Sequence, residues 1–261
     1  MHKITRLVLL PCHSIWKGGS TLGSERLEWE LVDFQIEGFD HLCFKNHIIQ
    51  SLEYIKQDEQ SCLIISGGQT KEQCGPVSEA ESYLQLGQEL VDMNEDLRLR
   101  IQLEVFARDS FENVLFLICR FYQVYGYYPE TFTVIGFEFK RERFLKLHFE
   151  TAMGISIDKV EYIGDSPNPV MLSEEEQISY FDDLKRCEYR FGYSPFSQDW
   201  YGIQPKLQAK RIARDPFNRT HSYSETNPSL KLFFDYVLQN KSQTQIKNQL
   251  KDLPWFETEN R

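Results

Sequence analysis

The sequence predicts an α/β protein, a Rossmann-like three-layer sandwich on a mostly parallel sheet, plus a C-terminal helical and irregular extension. Two observations carry that expectation. Five short apolar, β-branched or aromatic runs alternate with four segments of helical periodicity. The segments between them are long enough for crossovers between parallel neighbours, which a hairpin turn cannot provide.

The first strand is expected over residues 6–12, where an apolar run is closed by Pro11 and lacks the small-residue cleavage site of an export signal. A helix over 39–56 leads to a second strand at 62–66, and a helix over 78–93 to a third strand at 99–106. Helices over 110–125 and 140–153 then frame strands at 131–137 and 159–164. Two helix starts are marked: Ser78 with Glu81 has capping-box spacing, and Asp109 with Glu112 has an Asp-led version of it. The alternation divides the chain into a Rossmann-like domain over 1–164, an extension packed on it over 165–241, and a dispensable tail over 242–261.

Composition narrows the function. The 261 residues carry a formal net charge of −10, which disfavours sequence-independent nucleic-acid binding because such binding displaces counterions with a basic surface. No segment approaches the roughly 20 apolar residues that span a bilayer. Six cysteines without a C-x-x-C pair read as reduced thiols, so a cytoplasmic protein with neither nucleic acid nor membrane as partner is expected. No ligand spacing demands a metal.

In open α/β sheets, ligands sit beyond the carboxyl ends of the strands. There the sequence places His13 after the first strand and Ser66, Gly67, Gly68, Gln69 and Thr70 after the second. Ser78 and Glu79 open the following helix. Glu104 ends the third strand, followed by Asp109, Ser110 and Asn113, and Lys140 and Arg143 follow the fourth. The paired glycines allow positive φ and could leave N–H groups facing an anion, or they could simply turn the chain. His13 suits acid–base work with Glu104 or Glu79 as its partner. Lys206, Lys210, Arg211, Arg214 and Arg219 form a basic cluster that could fold over the sheet as a phosphate clamp or stay a solvated helix face.

In order and spacing, "IISGGQT", "SEAESYL" and "LEVFARDSFENVLFL" resemble the three signatures of the SanA/YdcF/ElyC-type domain-of-unknown-function family, over about residues 6–153. The C-terminal region resembles extensions of fungal and other eukaryotic members. The resemblance implies a Rossmann-like sheet with a pocket at the strand ends. In one bacterial relative it is associated with S-adenosylmethionine; no general reaction is established. The chain has Ala107, Asp109 and Ser110 where the family's third signature has Ser, Asn and Thr. It also lacks the family's histidine after the fourth strand, so no role of that histidine carries over. The expectation is a small-molecule-binding protein for a nucleotide-like or S-adenosylmethionine-like ligand. The alternatives are a hydrolase or transferase of a small phosphate-bearing substrate, and an interaction protein.

Overall fold

A computed structural model describes residues 3–256. Five parallel strands, β1 (Arg6–Pro11), β2 (Ser61–Ser66), β3 (Ile101–Glu104), β4 (Thr131–Phe137) and β5 (Val160–Asp165), form one sheet in the order β3-β2-β1-β4-β5. The chain winds outward from β1 in one direction and restarts at β4 in the other. The carboxyl ends of β1 and β4 therefore flank the crevice where such sheets take ligands. The fold is the Rossmann-like three-layer sandwich expected from the alternation.

β1 is buried on both faces, as a central parallel strand must be, and its side chains alternate between two cores. Val8 and Leu10 pack with Leu63, Ile65 and Phe137 under α1 (Asp40–Gln57) and α2 (Glu79–Leu90). Leu7 and Leu9 pack on the opposite face under α4 (Ser110–Tyr125) and a helix of wider turn over Arg143–Ala152. In that wider helix bonds span five residues, as from the Met153 N–H to the His148 carbonyl. Glu138–Lys140 forms a 3-10 turn before it, so the helix expected from residue 140 starts later and is under-wound.

The sequence pattern overran at the third strand. Residues 95–99 form α3 (Glu95–Leu99), because the Asn94 side chain accepts the Leu97 N–H and caps a helical turn there. The Arg100 guanidinium then donates to the carbonyls of Asp58 and Ser61, fixing where β3 begins.

After β5 come α5 (Glu174–Glu188), α6 (Ser194–Gln198), α7 (Pro205–Ala213), α8 (Tyr223–Thr226), α9 (Lys231–Leu238) and α10 (Gln243–Lys247). The extension does not form a core of its own. Phe196, Tyr201, Leu207, Tyr223 and Phe233 join the core under α4. The tail expectation needs correction: Ile246, Leu250 and Trp255 are buried in the same core, so residues 242–256 are structural. Residues 257–261 of that tail lie outside the described residues. Among the described residues no helix is long and apolar enough to cross a membrane.

Candidate functional site

The residues expected at the strand ends separate into four groups. The first lies at the switch point. His13 Nδ1 is 3.3 Å from Lys140 Nζ, and the ammonium rests over the rings of Phe137 and Phe139 at 5.0 and 5.5 Å. Burial, then the charge of Lys140, keeps the His13 imidazole well below its usual pKa. Burial brings Lys140 down to about 7, helped by Arg143. The imidazole is thus held neutral at physiological pH, while Lys140 titrates close to it and keeps part of its positive charge. His13 Nε2 is buried and without a hydrogen-bond partner, as is Asp40 Oδ1 nearby in the field of the same lysine.

The second group is a fixed network. Register sets Ser66 beside Glu104. Ser66 Oγ lies 2.8 Å from Glu104 Oε2 and 2.7 Å from the Asn113 amide. The Ser66 hydroxyl thus bridges the Glu104 carboxyl and the Asn113 side-chain carbonyl. Glu104 also accepts the N–H groups of Phe106 and Ala107 and the hydroxyl of Tyr223. Burial lifts its carboxyl to about 7 in spite of these four donors. None of its hydrogen bonds goes to His13, so the expected His13–Glu104 pairing is not formed; Glu104 ties β2, the β3–α4 loop and α8 together.

The third group contains the glycines. Neither Gly67 nor Gly68 has positive φ. Their N–H groups bond the carbonyls of Glu104 and Ala107, and their carbonyls take the N–H groups of Ala80 and Glu79. The backbone donors are therefore used up and do not face an anion. What requires glycine is close approach: a Cβ at Gly67 would lie 2.8 Å from the Cβ atoms of Cys12 and Glu79, and one at Gly68 2.8 Å from the Ala107 carbonyl. Ser78 and Glu81 complete the capping box. Gln69 donates to the Pro76 carbonyl. Thr70 holds the Glu79 carboxyl, which burial raises above the usual range and which does not bond His13.

The fourth group lines a cavity of about 60 Å³. Asp109, Ser110 and Arg143 meet Lys210 and Arg214 of the basic cluster there, with Phe196 and Leu207 as apolar wall. α7 therefore does lie over this end of the sheet. Arg211 Nε binds the Asp109 carboxylate at 2.6 Å and Arg214 donates to the Arg108 carbonyl. Against its burial, Arg211 holds the Asp109 carboxyl below the usual range. Arg143 pairs with Glu188 at 3.0 Å. Lys140, Lys210 and Arg214 have no ion-pair partner among the described residues. Arg143 and Arg214 both lower the pKa of His13 and of Lys140, so the cavity and the switch point share one electrostatic neighbourhood. A larger hollow of about 390 Å³, between Ser229 and Leu253, contains none of the expected residues.

Among curated proteins, the chain is similar to the uncharacterized protein YOR238W of Saccharomyces cerevisiae (strain ATCC 204508 / S288c). The two are 33% identical over 268 residues, covering 86% of this chain and 88% of the yeast protein. The chain belongs to the family of YOR238W. No family model matches it, and no solved structure does. The shared length includes sheet domain and extension alike, in keeping with their common core.

Sequence reasoning missed His148. It lies fully buried on the wider helix among Phe111, Phe144 and Phe196, with Nε2 2.8 Å from Ser110 Oγ. A lone histidine in the apolar run "RFLKLHFETA" was its one local sign. Among the described residues, no group of three or more His, Cys, Asp or Glu side chains is placed to hold a metal ion.

Proposed function

We propose that this protein binds a small phosphate-bearing molecule at the carboxyl end of its sheet. The observation that carries this reading is the convergence of Arg143, Lys210 and Arg214 on one cavity beside Lys140, in a chain whose net charge is −10. Lys140, Lys210 and Arg214 lack a carboxylate partner, so an anion entering the cavity meets positive charge that no acidic side chain has already paired. The cavity is far below the roughly 300–1,000 Å³ that encloses a whole cofactor. It suits a single phosphate group, with the rest of the molecule extending towards Lys140 and His13 or towards solvent.

The same charges favour a nucleotide over S-adenosylmethionine, whose sulfonium would add a cation to four others. The resemblance to the SanA/YdcF/ElyC-type family supports this end of the sheet as the pocket without naming its ligand. Six unpaired cysteines, four of them buried, fit the reducing cytoplasm.

Melting temperatures measured with inorganic phosphate, AMP and S-adenosylmethionine test the proposal. Phosphate or AMP at about 100 times its Kd should stabilise the fold by about 2.7 kcal/mol, which is roughly 5–10 °C for a chain of this size. The double substitution Lys210→Ala, Arg214→Ala should abolish the shift and leave the unliganded melting temperature nearly unchanged, since both side chains donate only to backbone carbonyls. A shift with S-adenosylmethionine alone, or one that survives the double substitution, rejects it.

A further inference from the structure

We propose that Ser110 is a nucleophile, with His148 as its general base, that takes a phosphoryl group from an ester held in the cationic cavity. This rests on the phosphate-binding reading and adds a reaction to it. Ser110 is half-buried and lines the cavity, whereas His148 is sealed behind it with Nε2 2.8 Å from Ser110 Oγ. That distance is the contact between nucleophile and base expected of such a pair. Phe111, Phe144 and Phe196 surround the imidazole and keep other bases and bulk water away from it.

Two further features belong to phosphoryl transfer. Ser110 is the first residue of α4, a 16-residue helix, so the N–H groups of Ser110 and Phe111 have no acceptor within the helix. With Arg143, Lys210 and Arg214 they are donors of the kind that stabilise charge on a transferring phosphoryl group. Burial, then Arg143, holds His148 well below its usual pKa, and a bound phosphate dianion offsets those cations as the imidazolium forms.

The steps balance. Ser110 Oγ bonds to phosphorus as the bond from phosphorus to the leaving alcohol's oxygen breaks. The Oγ proton passes to His148 Nε2, and the departing alkoxide takes a proton from solvent. A water then attacks the phosphoserine, releasing its proton to solvent, and the freed Oγ recovers its own proton from His148.

The experiment uses the full chain with para-nitrophenyl phosphate as the probe. Release of nitrophenolate is followed, acid-quenched protein is analysed by mass spectrometry for a phosphoryl group on Ser110, and melting with inorganic phosphate is recorded in parallel. Turnover that falls about 10²–10⁴-fold in both Ser110→Ala and His148→Gln, with phosphoserine found at position 110 in the wild type, is the expected result. Ser110→Ala leaves the Asp109 cap in place, and His148→Gln keeps an amide in the imidazole's position. Labelling of the wild type decides the matter even if a variant fails to fold. Absence of both turnover and label, or turnover unchanged in Ser110→Ala, overturns the nucleophile. If phosphate still raises the melting temperature in that case, the binding reading stands alone; if it does not, both fall.

Discussion

Asp40, the first residue of α1, is 5% exposed, and its Oδ1 finds no hydrogen-bond partner. Burial lifts its carboxyl from 3.8 to about 7, and only the attraction of Lys140 opposes the rise. The folded chain therefore holds a proton that the unfolded chain gives up. The resulting penalty is absent below about pH 3.8, grows with pH and is complete above about pH 7. Three pKa units correspond to ~4 kcal/mol, part of which an asparagine returns through its own unpartnered amide. Asp40→Asn should thus gain about 1–3 kcal/mol at pH 8 and nothing at pH 4, read from urea midpoints at the two values. An equal gain at both would mean that the charge is not the cause. At this scale the sequence showed which residues stand at the strand ends but not which of them are free. Glu104 looks catalytic from its position, and only the folded chain reveals four donors converging on it. The glycines were legible as a strand exit that either binds or turns; that a neighbouring loop absorbs their N–H groups depends on contacts about forty residues away.

At the scale of elements, α4 is anchored at its first turn by α7. Arg211 bridges Asp109 and Glu112 with side chains 11%, 7% and 4% exposed, and its Nη1 donates to the carbonyls of Tyr201 and Gly202. Arg211→Ala would leave the Asp109 cap charged and unpaired, which costs about 3–5 kcal/mol for a buried pair broken on one side. A fall of that size in unfolding free energy by urea titration is expected, and a loss under 1 kcal/mol would show that Asp109 finds another partner. Caps were legible here because they are local: Ser78 and Asp109 both accept the N–H three residues on. The widened helix over Arg143–Ala152 was not legible. Helical periodicity does not register one extra residue per turn, and that widening belongs to the segment that carries His148.

For the whole molecule, the extension completes the core and does not decorate it. Removing residues 242–261 takes Ile246, Leu250 and Trp255 from an apolar environment, about 1.5–3 kcal/mol each. The sum, roughly 5–9 kcal/mol, is of the order of the total stability of a domain. The truncated chain should therefore be largely unfolded, seen as loss of the cooperative thermal transition; a melting temperature within a few degrees of the full chain would contradict this. The alternation of strands and helices made the sheet readable, because each crossover has its own period. The extension has no such period, since its side chains answer to a surface built elsewhere.

The strand order also governs how the protein can be made. β1 occupies the middle of the sheet, yet its partners β2 and β4 lie on opposite sides, and Thr131 follows Arg6 by 125 residues. At about 5–20 residues per second of translation, β1 waits roughly 6–25 s for β4 after it has emerged. Throughout that interval the run Leu7–Leu10, wholly buried in the finished protein, shows an open apolar edge of the kind other chains pair with. Until β4 arrives, that side of β1 has no strand of its own chain to pair with.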